Sequence, residues 1–259
     1  MAKPVKLATW NVNSIRAREA RVRAWLAQAQ PDVVCLQELK VEAAGFPSAL
    51  FAELGYQVEL VGPKSYNGVA IASKLPLTDV VTGLDDGVDD PQARFLAATV
   101  DGVRVVSLYV PNGQAVGTDK YAYKLAWLGR LRTWLDRHAD PAQPLALCGD
   151  WNVAPTDQDV HDPGAWAGDV LCSEPERAAL AAETAWGVRD AFRALHPELR
   201  AFSWWDYRGV SFFKDQGLRI DYHLVTAPLA ARLTACTIDR EARRGRDASD
   251  HAPVVATFV

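Results

Sequence analysis

The chain has 259 residues, which is enough for one large domain or two small ones. Its hydrophobic fraction of 49% supplies a sizeable core and excludes an intrinsically disordered chain. The formal net charge of −4 argues against a nucleic-acid coat protein, which would be basic, but allows an enzyme with a local binding patch. No apolar run has the length of a membrane span and no signal peptide is evident, so we expect a cytoplasmic protein.

The four cysteines, Cys35, Cys148, Cys172 and Cys236, show no C-x-x-C spacing. Two of them, Cys35 and Cys148, lie within apolar runs that are typical of buried strands. We therefore expect four reduced and mostly buried thiols, and neither a disulfide framework nor a zinc site.

The first predicted strand covers residues 5–13, where alternation places Thr9 and Asn11 on one face. Ser14 is then a candidate cap for a helix over residues 15–29. Four arginines lie in the first half of this helix: Arg16, Arg18, Arg21 and Arg23. Their pattern fits a solvated helix face and a phosphate-contacting face equally well.

A second buried strand is predicted over residues 31–38, with Val34, Leu36 and Glu38 on one face. This apolar face ends in a carboxylate, as the face of the first strand ends in the amide of Asn11. The repeated position of the polar group, at the end of a strand, is typical of a functional site in α/β folds.

The later elements alternate in the same way, and no linker or internal repeat divides the chain. Further strands are predicted at residues 57–61, 69–73, 95–100, 103–110, 218–225, 233–238 and 254–259, and helices near residues 46–54, 121–139 and 176–182. Loops are predicted at residues 62–68, 85–91 and 156–173, and Asp101-Gly102 is a strong hairpin signal. We expect one α/β domain covering residues 1–259.

The segment Gly149-Asp150-Trp151-Asn152 follows an apolar run that ends a buried strand. If the chain stays extended, period two points Asp150 and Asn152 to the same side. By itself the segment also fits a polar turn in which both side chains cap their own backbone.

Polar side chains at strand ends recur along the chain, and pooling them gives Asn11, Glu38, Tyr109, Asn112, Asp150, Asn152, Asp221, Asp250 and His251. Oxygen ligands without cysteine suit Mg²⁺ or Mn²⁺ better than zinc. A divalent cation, a carboxylate near a water, a histidine and amide donors together favour phosphodiester hydrolysis.

At this point the sequence resembles the exonuclease III-type AP endonucleases of the endonuclease/exonuclease/phosphatase superfamily. The matching motifs occur in the family's order: TWNVNSIR (9–16), LQE (36–38), YNGVAI (66–71), QARF (92–95), YVPNG (109–113), GDWNVAP (149–155), WWDYRG (204–209), GLRID (217–221) and SDHAP (249–253). Together they cover nearly the whole chain. The resemblance implies an α/β four-layer sandwich, in which two mixed, mainly antiparallel sheets pack face to face with helices outside.

The resemblance also implies residue roles. It implies metal ligands at Asn11, Glu38, Asp150, Asn152 and Asp250. It implies catalytic roles for Tyr109, Asp150, Asn152, Asp221 and His251. It implies substrate contacts from Arg94, Asn112, Trp204, Leu218 and Ile220.

Within this set, the resemblance implies that Asp150 activates the attacking water or protonates the leaving group. His251 would donate to a phosphate oxygen, with Asp221 accepting from its other ring nitrogen. Trp204, Leu218 and Ile220 would form the wall of a pocket that admits a flipped-out abasic sugar.

The implied activity is Mg²⁺-dependent hydrolysis of the DNA phosphodiester 5′ to abasic sites, with Mn²⁺ as a substitute metal. 3′→5′ exonuclease and 3′-phosphodiesterase or phosphatase activities would accompany it. The implied substrate is double-stranded DNA with abasic sites or blocked 3′ ends, bound by a monomer without a membrane. The alternatives are a phosphoinositide or nucleotide phosphatase, a non-specific nuclease, and a non-catalytic nucleic-acid-binding regulator on the same fold.

Three places depart from the family's usual pattern. Trp151 stands where phenylalanine is commoner, residues 212–216 are less basic than in many members, and Tyr222-His223 is a local variation. These departures bear on substrate preference and leave the implied ligands intact.

Overall fold

The computed structural model describes residues 4–63 and 66–259. The strands of these residues are β1 (Val5–Asn11), β2 (Val33–Gln37), β3 (Gln57–Val61), β4 (Val69–Ser73), β5 (Thr78–Thr82), β6 (Phe95–Val100), β7 (Val103–Tyr109), β8 (Leu145–Asp150), β9 (Val188–Asp190), β10 (Asp221–Thr226), β11 (Leu233–Ile238) and β12 (Val254–Phe258). The α-helices are α1 (Glu19–Ala29), α2 (Ser48–Glu53), α3 (Asp119–His138), α4 (Pro163–Trp166), α5 (Glu174–Trp186), α6 (Ala191–Leu195) and α7 (Ala227–Ala230).

The strands form two six-stranded sheets with the same internal pattern. One sheet has the order β11-β12-β1-β2-β4-β3 and the other has the order β5-β6-β7-β8-β10-β9. In each sheet the two central strands are parallel, β1 with β2 and β7 with β8, and the other neighbours pair antiparallel. Both parallel pairs therefore bring two strand ends to one edge, which is where the predicted polar residues lie.

The core is divided into three apolar layers. Between the sheets lies a cluster that includes Leu7, Cys35, Leu96, Val105, Cys148 and Val225. Helices α1 and α2 cover the outer face of the first sheet with Val22, Trp25, Leu26, Leu50 and Phe51. Helices α3 and α5 cover the second sheet with Leu128, Leu131, Trp134, Leu135 and Leu180. The predicted four-layer sandwich is confirmed.

Helix α1 begins later than the sequence predicts, at Glu19 instead of residue 15. Ser14 does not cap it: the backbone N–H groups of Ser14 and Ile15 bond to the carbonyl oxygens of Glu38 and Leu39. Residues 14 and 15 therefore pair with residues 38 and 39, which follow β2, and helix α1 begins only after this pairing ends.

Other elements match the predicted positions closely, and several short ones were missed. The predicted hairpin at Asp101-Gly102 is confirmed, since both residues have positive φ (47° and 75°) and join β6 to β7. The prediction missed the exposed edge strand β5, the three-residue β9, and the short helices α4 and α6, none of which carries a long periodic pattern. Two residues of the predicted connection 62–68, at positions 64 and 65, lie outside the described residues.

All four cysteines are buried free thiols, as predicted. Among the described residues, no helix has the length and apolar character that crossing a membrane would require.

Candidate active site

Four strand ends from the two sheets converge at the centre of the site. Asn11 ends β1 and donates from Nδ2 to Glu38 Oε1 and Asp150 Oδ2, both at 2.9 Å. The Tyr109 hydroxyl, at the end of β7, donates to the same Glu38 oxygen at 2.9 Å. Asp150 lies opposite Tyr109 at the end of β8. One buried amide therefore joins carboxylates from both sheets.

Glu38 reaches this point by leaving the strand pattern. Val34 and Leu36 pack under α1, on the outer side of the sheet, so the prediction that Glu38 continues their face is wrong. Glu38 has φ +52°, and this left-handed residue turns its side chain into the site. Burial acts to raise the pKa of Glu38, but the Lys40 ammonium and the Asn11 amide outweigh it, and the pKa lies below its ordinary value.

Asp150 is buried and accepts two hydrogen bonds. Its Oδ1 accepts from the backbone N–H of Asn152 at 3.0 Å, and its Oδ2 accepts from Asn11. Burial raises the pKa of Asp150 to about 7, and the Asp221 carboxylate adds to the rise while His251 opposes it. A carboxylate with this pKa is suited to taking up and releasing a proton near neutral pH.

His251 is held by Asp221 and faces Asp150. Its Nδ1 lies 2.8 Å from Asp221 Oδ2, and its Nε2 lies 3.8 Å from Asp150 Oδ2. The Ser203 hydroxyl donates to the same Asp221 oxygen at 2.7 Å. Burial lowers the pKa of His251, but the Asp221 and Asp150 carboxylates outweigh it and raise the pKa to about 10. The imidazolium therefore presents an Nε2–H donor to the site.

Two asparagines form the opposite rim. Asn112 Nδ2 donates to Asn152 Oδ1 at 3.2 Å, and Asn152 Nδ2 donates to the Val110 carbonyl at 3.0 Å. Asn152 has φ +49°, so the chain does not stay extended after Asp150. Asp150 accepts from the Asn152 N–H with Oδ1, as in the polar turn that the sequence allows. Its Oδ2 accepts from Asn11, as expected of a residue in the site. The segment 149–152 is therefore both a turn and part of the site.

A cation has a place at this junction. The ligand atoms of Glu38, Asp150 and His251 lie within 4.8 Å of one another. The two carboxylates are hard oxygen donors of the kind that Mg²⁺ prefers. His251 turns Nδ1 to Asp221, so Nε2 is the ring nitrogen that faces the carboxylates.

Asp250 and Trp204 lie beside the carboxylate group and contact each other. The Asp250 carboxylate accepts from Asn13 Nδ2 at 2.9 Å and from Trp204 Nε1 at 3.1 Å. Trp204 also makes isolated backbone bridges to Leu218 and His251. The predicted ligand Asp250 is thus at the site, with both carboxylate oxygens in hydrogen bonds.

The predicted pocket residues lie in one apolar cluster. Leu218 and Ile220 are buried in a cluster with Ala154, Val160, Leu171 and Cys172, and Trp204 packs against it. Trp166, from α4, meets Trp204 edge to face with ring centroids 6.4 Å apart. Leu218 and Ile220 are almost fully buried, so Trp204 is the one of these three side chains with exposed surface beside Asp250, and a role for them as a pocket wall stays a prediction.

Arg94 lies on the other side of the site, stacked on Tyr109. Its guanidinium is 4.5 Å from the Tyr109 ring centroid and donates to the Tyr109 carbonyl at 3.1 Å. A groove of about 1100 Å³ runs past Arg94, Tyr109 and Asn112, and Lys120 also lines it. Arg94 and Lys120 give this groove two positive charges, which would attract an anionic ligand.

The model of the Endonuclease/Exonuclease/phosphatase family matches residues 8–251 of the chain. The chain belongs to this family. It is 33% identical to exodeoxyribonuclease III of Haemophilus influenzae over 98% of this chain and 100% of that protein.

Two solved structures show the same fold at higher identity. One is a variant of the 3′ phosphatase NExo from Neisseria bound to a product DNA hairpin, with 42% identity, a TM-score of 0.94 and coverage of 98% of this chain and 99% of that chain. The other is an AP endonuclease from Archaeoglobus fulgidus, with 41% identity, a TM-score of 0.94 and the same coverage.

The sequence analysis did not identify several side chains that lie at the candidate active site. Asn13 contacts Asp250, Lys40 pairs with Glu38 Oε2 at 2.8 Å, and Trp166 contacts Trp204. Asn13 ends the first predicted strand, Lys40 follows the second, and Trp166 lies in the predicted loop 156–173, so the pattern singled out none of the three as a site residue.

Lys124 is the exception among the missed residues, because its position carried a signal. It lies in the apolar stripe of α3 between Tyr121 and Leu128, at helical spacing, and is fully buried. A lysine in an apolar stripe predicts a buried partner. That partner is Glu176 on α5.

Proposed function

We propose that the protein is a Mg²⁺-dependent DNA repair nuclease that hydrolyses the phosphodiester 5′ to abasic sites in double-stranded DNA. 3′→5′ exonuclease and 3′-phosphodiesterase or phosphatase activities belong to the same proposal, with Mn²⁺ as a substitute metal. The observation that carries it is the convergence of Glu38, Asp150 and His251 at one point where two sheets meet. Relatives named exodeoxyribonuclease III, 3′ phosphatase and AP endonuclease support it.

In this proposal Glu38 and Asp150 hold the metal ion together with Asn11, Asn152 and Asp250. The bound cation supplies a positive charge that offsets the charge developing on the phosphate oxygens. Asn11 already spans Glu38 and Asp150, so the two carboxylates are fixed at hydrogen-bond distance from a common donor.

The proton transfers fall to Asp150 and His251. Asp150 takes a proton from the water that attacks phosphorus, and its carboxylate is held for this task by the Asn11 amide and the Asn152 N–H. His251 donates from Nε2 to a phosphate oxygen, while Asp221 keeps the ring charged and oriented. The bond from phosphorus to the 3′ oxygen breaks, and that oxygen takes a proton from solvent water to become a 3′ hydroxyl, while Asp150 later returns its own proton to solvent.

The remaining contacts position the phosphate and the sugar. Tyr109 is a neutral phenol because burial raises its pKa well above the ordinary value. Its single O–H points to Glu38 in the free protein and would turn to the phosphate in the complex, where Asn112 and Asn152 also donate. Arg94 contacts the DNA strand in the adjacent groove. Trp204, Leu218 and Ile220 receive the abasic sugar and select it by size, because a nucleotide with its base does not enter.

We further propose that residues 1–259 act as one domain, as a cytoplasmic monomer. Size-exclusion chromatography with light scattering tests the monomer directly. A stable dimer at micromolar concentration contradicts this part of the proposal and leaves the chemistry untouched.

The test of the activity uses two duplex oligonucleotides, one with a single tetrahydrofuran abasic analogue and one with a 3′ phosphate. We expect incision of the first and dephosphorylation of the second with Mg²⁺, and neither reaction in excess chelator. An undamaged duplex is the control. If the pure protein leaves both substrates intact with Mg²⁺ and with Mn²⁺, the proposed function is wrong.

Asp150→Asn and Glu38→Ala test the assigned roles. We expect each substitution to lower kcat by about 10³-fold or more, since each removes a proton-handling or metal-binding group. DNA binding, measured by fluorescence anisotropy, stays within about threefold of the original. A variant with near-normal turnover contradicts the role given to that residue.

A further inference from the structure

Lys124 places a buried ammonium group behind the site. Its Nζ donates to the Asn112 carbonyl at 3.1 Å and to the Asn152 carbonyl at 2.5 Å. Its third bond goes to the Glu176 carboxylate, and neither side chain is exposed. The three donors of an ammonium group are thereby all used.

The two carbonyls belong to the residues that form the amide rim of the site. Asn112 and Asn152 come from different loops, one after β7 and one after β8, and no strand pairing fixes either residue. Asn152 also holds a left-handed backbone conformation, with φ +49°. The ammonium of Lys124 is the group that ties these two backbones to the helix layer.

Glu176 extends the same contact to the apolar pocket. Its carboxylate accepts from the backbone N–H of Leu171 at 3.0 Å and of Ser173 at 3.1 Å. Leu171 belongs to the pocket cluster and has φ +75°, a conformation that leucine adopts at a cost. The carbonyl of Leu171 in turn accepts from the Ala154 N–H at 2.7 Å.

We propose that Lys124 is a positioning residue of the nuclease, which fixes the backbones of Asn112 and Asn152 so that their amide groups face the scissile phosphate. Glu176 orients Lys124 and ties it to the pocket wall at Leu171. The proposal rests on the function proposed above, and it concerns residues that do not themselves touch the DNA.

The physical reason is that no apolar side chain can replace the ammonium. Its removal leaves two buried carbonyls and one buried carboxylate without their common donor, and the loops must shift to find water. A displacement of about 1 Å at a catalytic group is enough to lower the rate by about 10²-fold. The amides of Asn112 and Asn152 are the groups that such a shift moves.

The experiment compares Lys124→Met with Arg130→Met in the full chain. Arg130 is a matched control: it lies on the same helix and forms ion pairs with Asp86 and Asp90, away from the carboxylate group. On the tetrahydrofuran duplex we expect Lys124→Met to lower kcat about 10²-fold with KM changed less than about threefold. Arg130→Met keeps kcat within about twofold.

A double-mutant cycle separates positioning from loss of structure. If Lys124 acts through Asn152, Lys124→Met costs less than about fivefold in kcat in an Asn152→Ala background. Equal losses in both backgrounds overturn the proposal, as does a Lys124→Met variant with normal kcat. If Lys124→Met does not fold, Lys124→Gln, which keeps a neutral donor, takes its place in the same cycle.

The outcomes also separate this proposal from the proposed function. An inactive original protein contradicts the function. An active original protein whose Asn152→Ala variant is fully active contradicts the role of Asn152, and with it the positioning role of Lys124.

Glu176→Gln tests the role of the carboxylate. We expect it to lower kcat less than Lys124→Met does, because Lys124 retains its two hydrogen bonds to carbonyl groups. If Glu176→Gln lowers kcat more than Lys124→Met does, the proposal that Glu176 acts through Lys124 is wrong.

Discussion

Glu183 is one of several buried side chains whose shifted pKa makes stability depend on pH, and it lies away from the candidate active site. It lies on α5, fully buried, and both of its carboxyl oxygens lack a hydrogen-bond partner among the described residues. Burial raises the pKa of Glu183 from 4.5 to about 8, with Asp136 adding to the rise and Arg132 opposing it. The folded protein therefore keeps this carboxyl protonated at neutral pH.

We predict that Glu183→Gln stabilises the protein at pH 7.5 by about 1–3 kcal/mol, from a linkage of about 1.4 kcal/mol per pKa unit. Below pH 4.5 the folded and unfolded states both hold the proton, and the shifted pKa costs no stability. As the pH rises toward 8, the unfolded state releases the proton while the folded state retains it, so stability is lost. Glutamine removes this loss.

Urea unfolding from pH 4 to pH 8 measures the effect. The stability of Glu183→Gln relative to the original protein should be lowest and constant below about pH 4.5 and should rise with pH from there to pH 8. Glu174→Gln is the control, because Glu174 is exposed on the same helix. A difference that is the same at pH 4 and pH 8 contradicts the predicted cause.

At the scale of single residues, the sequence indicated which side chains meet at the site better than it indicated their backbone conformations. Asn11 is hydrogen-bonded to Asp150 and His251 to Asp221, and the two pairs meet where His251 Nε2 lies 3.8 Å from Asp150 Oδ2. Glu38 reaches the site only because its φ is positive, and strand periodicity assigned it the wrong neighbours. Positive φ at a non-glycine residue leaves no mark in a pattern of apolar and polar residues.

At the scale of elements, two departures from the family pattern prove to be partners. Trp151 follows β8 and Tyr222 lies in β10, and their rings stack at 5.4 Å with an interplanar angle of 6°. The Trp151 Nε1 donates to the Tyr222 carbonyl at 3.3 Å, and the Tyr222 hydroxyl donates to the Val153 carbonyl at 3.1 Å. The stack thus joins the strand that carries Asp221 to the segment that carries Asn152.

We predict that Trp151→Phe lowers the free energy of unfolding by about 1–3 kcal/mol, because it removes buried ring atoms and a hydrogen bond. We also expect kcat to fall about 3–10-fold, since the loosened stack lets Asn152 move. Trp134→Phe is the matched control: Trp134 is buried in the same cluster, against Phe95, and should lose similar stability with unchanged kcat. Equal kcat losses in the two variants contradict a positional role for Trp151.

The bounds of the long strands and helices were predictable from the sequence. The pairing of the strands, which brings their ends together at the site, was not. Strands such as β4 and β11 have the predicted bounds because apolar runs and flanking turn residues mark them. The pairing of β1 with β2 and of β7 with β8, which brings the strand ends together, follows from long-range contacts that periodicity does not encode. The resemblance to a family supplied this information.

At the scale of the whole molecule, some arginines are held by contacts within the protein and others are free to contact DNA. The net charge is −4, so any DNA-binding face must be locally basic. Arg21 is committed to the carbonyls of Arg244 and Arg246, and Arg23 pairs with Glu53. Arg16, one of the four arginines in the predicted first helix, is exposed, and so is Arg246, whose carbonyl Arg21 contacts.

We predict that DNA binding weakens with salt, and that Arg16→Ala and Arg246→Ala each lower the slope of log K against log salt by about 1. A neutralised phosphate releases about 0.9 counterions from duplex DNA, so one lost contact changes the slope by that amount. Anisotropy titrations of a tetrahydrofuran duplex between about 50 and 200 mM salt measure the slope, with chelator present to prevent incision.

Arg137→Ala is the control for this prediction. Arg137 is exposed in the last turn of α3, a helix of 20 residues that begins near Asn112, so it lies about 25 Å along the axis from the site. Its removal changes the net charge by the same amount as the other two substitutions. If all three variants lower the slope equally, overall charge controls binding; if only Arg16 and Arg246 do, these residues contact phosphates. The second outcome is the one we expect, because a charge beyond the Debye length of about 10 Å is largely screened.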